Sequence, residues 1–95
     1  MTGAFDRGLD GVVASAAQGD EIAFGRIVAA YHADMHRVCV FVCGDQSIAE
    51  DAVQAAWAIA WRKLDTVREG SRLKPWLVSV AVNQTRDLMR KHRRQ

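Results

Sequence analysis

Residues 47–64, Ser-Ile-Ala-Glu-Asp-Ala-Val-Gln-Ala-Ala-Trp-Ala-Ile-Ala-Trp-Arg-Lys-Leu, decide the fold. Ala49, Ala52, Val53, Ala56, Trp57, Ala60, Trp61 and Leu64 recur at steps of three and four, the spacing that gathers side chains on one buried helix face. Asp45 or Ser47 is placed to cap this helix, and Gly44 before it ends a longer one. That preceding helix opens at Asp20, and its stripe is Phe24, Ile27, Val28, Tyr31, Met35, Val38, Cys39 and Val42. A short first helix is expected from Asp10 to Gln18, broken by Gly19. Downstream, residues 65–72 read as a polar loop, and Ser71 to Pro75 open a last helix, because proline is tolerated in a first turn. Beyond Pro75 the chain has neither proline nor glycine, so this helix can run to the basic end. No stretch alternates long enough to make a strand, and the expected fold is all-α, a compact bundle of three to four helices.

Ninety-five residues with 49% hydrophobic composition suffice for one domain, expected over residues 10–95 behind a flexible segment at 1–9. The formal charge of +2 conceals a strong asymmetry. Residues 62–95 carry ten Lys and Arg against three acids, a net of +7, whereas residues 1–61 carry a net of −5. Such a molecule offers one end to a polyanion and withholds the other. The start of the chain has no readable secretory signal, and no run approaches 18 apolar residues. Two cysteines one helical turn apart make no disulfide framework, so a cytoplasmic protein without a membrane partner is expected.

On the last helix, 100° per residue brings Ser79, Asn83, Arg86, Arg90, Arg93 and Arg94 within about a third of the circumference. Leu77, Val80, Ala81 and Leu88 lie opposite and supply its buried contact, while Trp76 projects near the Asn83 edge. An amide, a row of guanidinium groups and an indole are suited to reading an unpaired nucleic-acid strand. The competing reading is a solvated basic face with Trp76 packed on the core. The third helix has an apolar surplus in Ala55, Ala58 and Ile59 beside Gln54, which suits either a docking partner or a small-residue contact inside the domain.

His32, His36, Cys39 and Cys43 lie along one side of the second helix and invite a zinc reading. Their outermost Cα atoms are about 16 Å apart on a straight helix, too far to surround one tetrahedral ion. Core cysteines beside a half-exposed histidine pair are the better account, and no metal or cofactor is expected. No phosphate loop, nucleophile elbow or readable His–carboxylate–hydroxyl spacing points to an enzyme.

Ala49-Glu50-Asp51-Ala52-Val53-Gln54, Ala60-Trp61-Arg62-Lys63-Leu64-Asp65, the loop Arg68-Glu69-Gly70-Ser71, and Trp76-Leu77 leading to Asn83 and Asp87 together resemble region 2 of sigma factors. The likeness runs over about residues 9 to 94 in one order, and the branch it resembles is the extracytoplasmic-function group. The resemblance implies a helix that docks on the beta-prime clamp helices of core RNA polymerase, through Glu50, Asp51, Gln54, Ala55 and Ala58. It implies DNA contact through Trp76, Asn83, Arg86 and Arg90, flanked by Arg68, Ser71, Lys74, Lys91 and Arg93, on the unpaired non-template strand of the minus-ten element. It places the pocket for a flipped base in the loop at Val67 to Ser71, and it implies an anti-sigma partner. Five positions depart from the family pattern. Ala55 and Trp57 stand where Glu and Phe are frequent, Val67 replaces a frequent Phe, and Ser79 and Val82 sit where arginine is frequent. The family's complete members continue into a region 4, so the chain reads as an excised domain. A module that binds polymerase or an anti-sigma factor without reading DNA is the other reading, and it leaves the Trp76, Asn83 and Arg86 face without a purpose.

Overall fold

The computed structural model describes residues 11–67 and 69–94; the expected flexible segment at 1–9, Asp10 and Arg68 lie outside them. Helix α1 covers residues 11–17, α2 Glu21–Cys43, α3 Gln46–Lys63 and α4 Leu73–Arg94. Two single 3-10 turns, Leu64–Thr66 and Gly70–Arg72, join α3 to α4. The described residues contain no strand, so the all-α expectation holds. None of the described helices is long and apolar enough to cross a membrane.

The breaks between helices follow from side-chain chemistry. The Asp20 carboxylate accepts from the backbone N–H groups of Ile22 and Ala23 at 3.0 and 3.1 Å, satisfying two donors that α2 leaves without helical partners. At its other end Gly44 takes φ 69°, a left-handed conformation that glycine adopts without strain, and its N–H donates to the Val40 carbonyl at 2.7 Å. Asp45 then caps α3, accepting from Ser47 and Ile48 at 2.8 and 3.0 Å. Of the two expected caps, Asp45 does the work and Ser47 is the donor. Two residues thus close one helix and open the next, which folds α2 and α3 back on each other as an antiparallel pair. Pro75 falls in the first turn of α4, where its missing N–H costs no helical bond.

Helices α2, α3 and α4 each touch the other two. Their shared core takes Ile27, Tyr31, Met35 and Cys39 from α2 and Leu73, Leu77 and Ala81 from α4, while α3 contributes Ala49, Ala52, Val53, Ala56, Trp57 and Ala60. The four alanines from α3 are fully buried, so the middle helix offers almost bare backbone to both neighbours. Small contacts allow axes to approach the lower end of the usual 8–10 Å range or so. Thr85 is the one buried polar residue among the described ones, and its hydroxyl donates to the Ala81 carbonyl at 2.9 Å. The Cys39 thiol beside it is pushed up by burial, against the smaller opposing effect of the neighbouring Thr85 hydroxyl, and stays uncharged at neutral pH.

The expected α2 stripe is buried at Ile27, Tyr31, Met35 and Cys39, and half-buried at Phe24, Val28, Val38 and Val42. One sequence expectation fails on α3. Trp61 is 39% exposed rather than buried, because it stands opposite the first turn of the antiparallel α2, where Phe24 covers it from one side.

Two substitutions test this account by urea denaturation. Ala56→Leu, which forces a large side chain between two helices already in contact, should cost about 1–3 kcal/mol. Asp45→Ala, which removes only the cap, should cost about 1 kcal/mol and leave the helical signal of the folded state intact.

Candidate nucleic-acid and partner interface

The two loop turns and the start of α4 enclose an open cleft of about 710 Å³. Thr66, Val67, Glu69 and Ser71 form its loop wall; Arg72, Pro75, Trp76 and Ser79 form its helix wall. The loop is built by short backbone bonds, Val67 N–H to the Leu64 carbonyl and Arg72 N–H to the Glu69 carbonyl, each 3.0 Å. Buried Leu64, Gly70 and Leu73 tie it to the core, with half-buried Val67 packed on the same cluster. Trp76 is half-buried, packed on the core and lining the cleft together. The two readings of this indole made from sequence are therefore compatible.

From the cleft, one face of α4 continues as Ser79, Asn83, Arg86, Arg90 and Arg93, all exposed, with the buried Leu77, Ala81 and Thr85 behind them. Arg90 is paired with Asp87 one turn before it, so a phosphate there would have to compete with a carboxylate. Lys91 is exposed but about 100° round the helix from Arg90. Lys74 departs most from the expected set. It lies on the side of α4 turned to α2, where its Nζ is 2.9 Å from Asp34 Oδ2. The same Asp34 carboxylate meets Arg37 at 2.9 Å. Lys74, by hydrogen bond and by charge, holds the Asp34 carboxyl below the usual carboxylate range. Arg68 lies outside the described residues, and Ser71 lines the cleft.

On α3, Glu50, Asp51, Gln54 and Ala58 are exposed, whereas Ala55 and Ile59 are half-buried. Part of the apolar surplus is thus absorbed within the domain. Sequence reasoning missed Trp61 on this outward side. Helical rotation sets it seven residues from Gln54, on the same side, and its ring packs edge-on against Phe24 with centroids 4.9 Å apart. Trp57, one turn earlier, is buried and also meets Phe24, at 5.7 Å. Its indole N–H donates to His32 Nδ1 at 3.0 Å, which gives the polar tip of an otherwise apolar side chain a partner.

That bond also bears on the zinc reading: His32 is engaged by Trp57, Cys39 is buried in the core, and Cys43 donates its thiol to the Asp45 carbonyl at 3.2 Å. The described residues contain no group of three or more His, Cys, Asp or Glu that could hold a metal ion.

The Asp34–Lys74 pair predicts a small pH dependence with a definite sign. A carboxyl whose folded pKa is depressed adds stability above its unfolded pKa and loses it as the pH falls through the folded value. Wild type should therefore exceed Asp34→Asn in thermal stability at neutral pH, and the difference should vanish on acidification below the ordinary carboxylate range. A constant difference across that titration would show that the ion pair does not link α4 to α2.

Comparison with known proteins bears on both surfaces. The Sigma-70 region 2 family model matches residues 27–95. The chain is 33% identical over 78 residues to "Probable RNA polymerase sigma factor RfaY" of Xanthomonas campestris pv. campestris, covering 82% of this chain and 20% of the relative. It is 33% identical over 75 residues to RNA polymerase sigma factor NccH of Alcaligenes xylosoxydans xylosoxydans, covering 79% of this chain and 40% of the relative. To ECF RNA polymerase sigma factor SigW of Bacillus subtilis it is 32% identical over 74 residues, covering 78% of this chain and 40% of the relative. No solved structure matches the chain significantly.

Proposed function

Because the chain belongs to the sigma-70 family, extracytoplasmic-function group, and carries its region 2, we propose that it docks on the beta-prime clamp helices of core RNA polymerase through α3 and holds the unpaired non-template strand of the minus-ten element on α4 and the cleft. The observation that carries the second half is the continuity of the cleft beside Trp76 with the exposed Asn83, Arg86 and Arg90 face. Each part matches one need of an opened strand. The indole offers a π-face on which a base stacks, the amide offers a donor and an acceptor in fixed relation, and the guanidinium groups meet phosphate. Opening a duplex costs stacking and pairing energy, and capturing the displaced base in a cleft offsets part of that cost.

The docking half is supported by the outward side of α3, where Gln54, Ala58 and Trp61 follow Glu50 and Asp51. A small residue beside a half-exposed indole gives a partner helix a flat approach and one aromatic to cover, the composition that dominates interface energetics. Glu50 and Asp51 place two acids at the start of the α3 surface, whereas the α4 face carries Arg86, Arg90 and Arg93, so a polyanion is drawn to α4. An anti-sigma partner would act by covering either surface.

Gln54→Arg tests the docking half. A bulky cation on an exposed site leaves the fold intact, yet it should abolish retention of the protein by the beta-prime clamp helices; retention equal to wild type places the contact elsewhere. Asn83→Ala and Arg90→Ala test the reading half, with single strands differing at one base and core polymerase present. Loss of a matched base contact costs about 1–3 kcal/mol on the preferred strand and little on the others. Arg90→Ala should instead weaken all strands alike and make the log–log salt slope shallower by about 0.7. Equal weakening of every strand by Asn83→Ala would remove it from base reading.

A further inference from the structure

We propose that His32 is a positioning residue for polymerase docking, which acts through Trp57 and Phe24 to fix the orientation of Trp61, an assignment that rests on reading the outward side of α3 as the docking surface. Trp61 is an exposed indole on that side, in line with Gln54 and Ala58. A large side chain on an outward face moves among its rotamers unless neighbours confine it. An aromatic held beforehand in one orientation contributes more to binding, because less freedom is lost when a partner covers it.

Four rings from two helices supply the confinement. The Phe24 ring of α2 meets Trp61 with centroids 4.9 Å apart and Trp57 at 5.7 Å, edge-on in both cases, so one phenyl group is wedged between two indoles a turn apart on α3. Edge-to-face pairs are directional, and turning one ring changes the surface that its neighbour packs on. The series ends at His32, two turns beyond Phe24 on α2, whose Nδ1 accepts the Trp57 indole N–H at 3.0 Å. The two ring planes are 11° apart and their centroids 6.4 Å, an edge-to-edge arrangement that aims the N–H along the imidazole plane at the lone pair. Trp57 is buried and its nitrogen can only donate, so a rotated ring would lose this partner and leave a donor unpaired. His32 thereby fixes Trp57, Trp57 confines Phe24, and Phe24 confines Trp61. His32 itself is half-buried and lines a groove between α2 and α3 with His36, Arg37, Gln46 and Glu50. Contact with a partner in that groove is the competing way for His32 to affect docking, and it would not depend on Trp61.

A double-mutant cycle on retention by the beta-prime clamp helices separates the two, with melting temperatures measured alongside. Trp61→Ala should weaken retention about tenfold or more. His32→Leu removes the acceptor and should weaken it about two- to tenfold. Trp57→Phe keeps a ring but removes the donor; it should match His32→Leu, and it makes the same test if that variant fails to fold. His32→Asn, whose side-chain oxygen stands close to where Nδ1 stood, should restore retention and return the Trp57 indole N–H resonance to its hydrogen-bonded position in proton–nitrogen NMR. In the Trp61→Ala background, His32→Leu should lower the melting temperature yet leave retention unchanged. The inference is overturned if His32→Leu weakens retention by the same factor with and without Trp61, or if His32→Asn is as weak as His32→Leu. Wild-type retention by Trp61→Ala overturns it as well, and Gln54→Arg then separates the underlying reading. Loss of retention in Gln54→Arg leaves docking on α3 standing, whereas wild-type retention in both variants removes docking from α3 altogether.

Discussion

The alanine face of α3 is the constraint on which the rest of the structure depends. Ala49, Ala52, Ala56 and Ala60 have no exposed surface, and they separate the larger side chains of α2 from those of α4 by little more than backbone. Alanine has the best intrinsic helix propensity and loses no side-chain entropy on burial, so a helix made of it forms readily and admits close neighbours. The cost is a core thin in large side chains from its central element. Ile27 and Met35 on α2, Leu73 and Leu77 on α4, and Leu64 at the exit of α3 supply the volume instead. A domain of this size has few such residues to lose.

Because α3 is flanked on two sides, only one strip of it reaches solvent, and the sequence fills that strip with Glu50, Asp51, Gln54 and Ala58. Helix α4 faces the opposite situation. It packs through Leu77, Ala81 and Thr85 and turns every arginine of its length outward. The α3 strip thus begins with two acids, Glu50 and Asp51, whereas the exposed side of α4 carries Arg86, Arg90, Arg93 and Arg94. Neither face needs a long loop to present it, and residues on helices held by a packed core keep their positions better than residues on free loops. The exception is the wall of the cleft, which two 3-10 turns build from short-range bonds.

Much of this was legible in the chain. Helix boundaries could be read because Asp20, Gly44 and Asp45 each perform a local act, a cap or a left-handed turn, that does not depend on distant residues. The arginine face of α4 was legible for a similar reason, since rotation along a helix follows from numbering alone. What rotation could not give was the neighbour. Trp61 belongs to the same periodic stripe as Trp57, yet Trp57 is 7% exposed and Trp61 39%, because Trp57 lies against the body of α2 at His32 and Trp61 only against its first turn at Phe24. Lys74 carries the charge expected of a phosphate contact, and only the position of Asp34 on another helix turns it into a strut. The donor on Trp57 likewise needed His32, 25 residues away in sequence, as its partner.

These contacts share a direction. Asp34 reaches from α2 to the first turn of α4, and Phe24 reaches from the start of α2 to the end of α3, so both functional helices are braced at the ends that flank the cleft loop. An exposed ion pair contributes little to global stability, typically between zero and about 1 kcal/mol. Its effect on geometry is of another kind. The loop between Leu64 and Leu73 has buried anchors at both ends and a half-buried Val67 between them. With a small apolar side chain as its plug, the cleft's shape rests in part on where the two helix ends are held. A brace of low energetic value therefore acts together with the core anchors Leu64, Gly70 and Leu73 on the loop that walls the cleft.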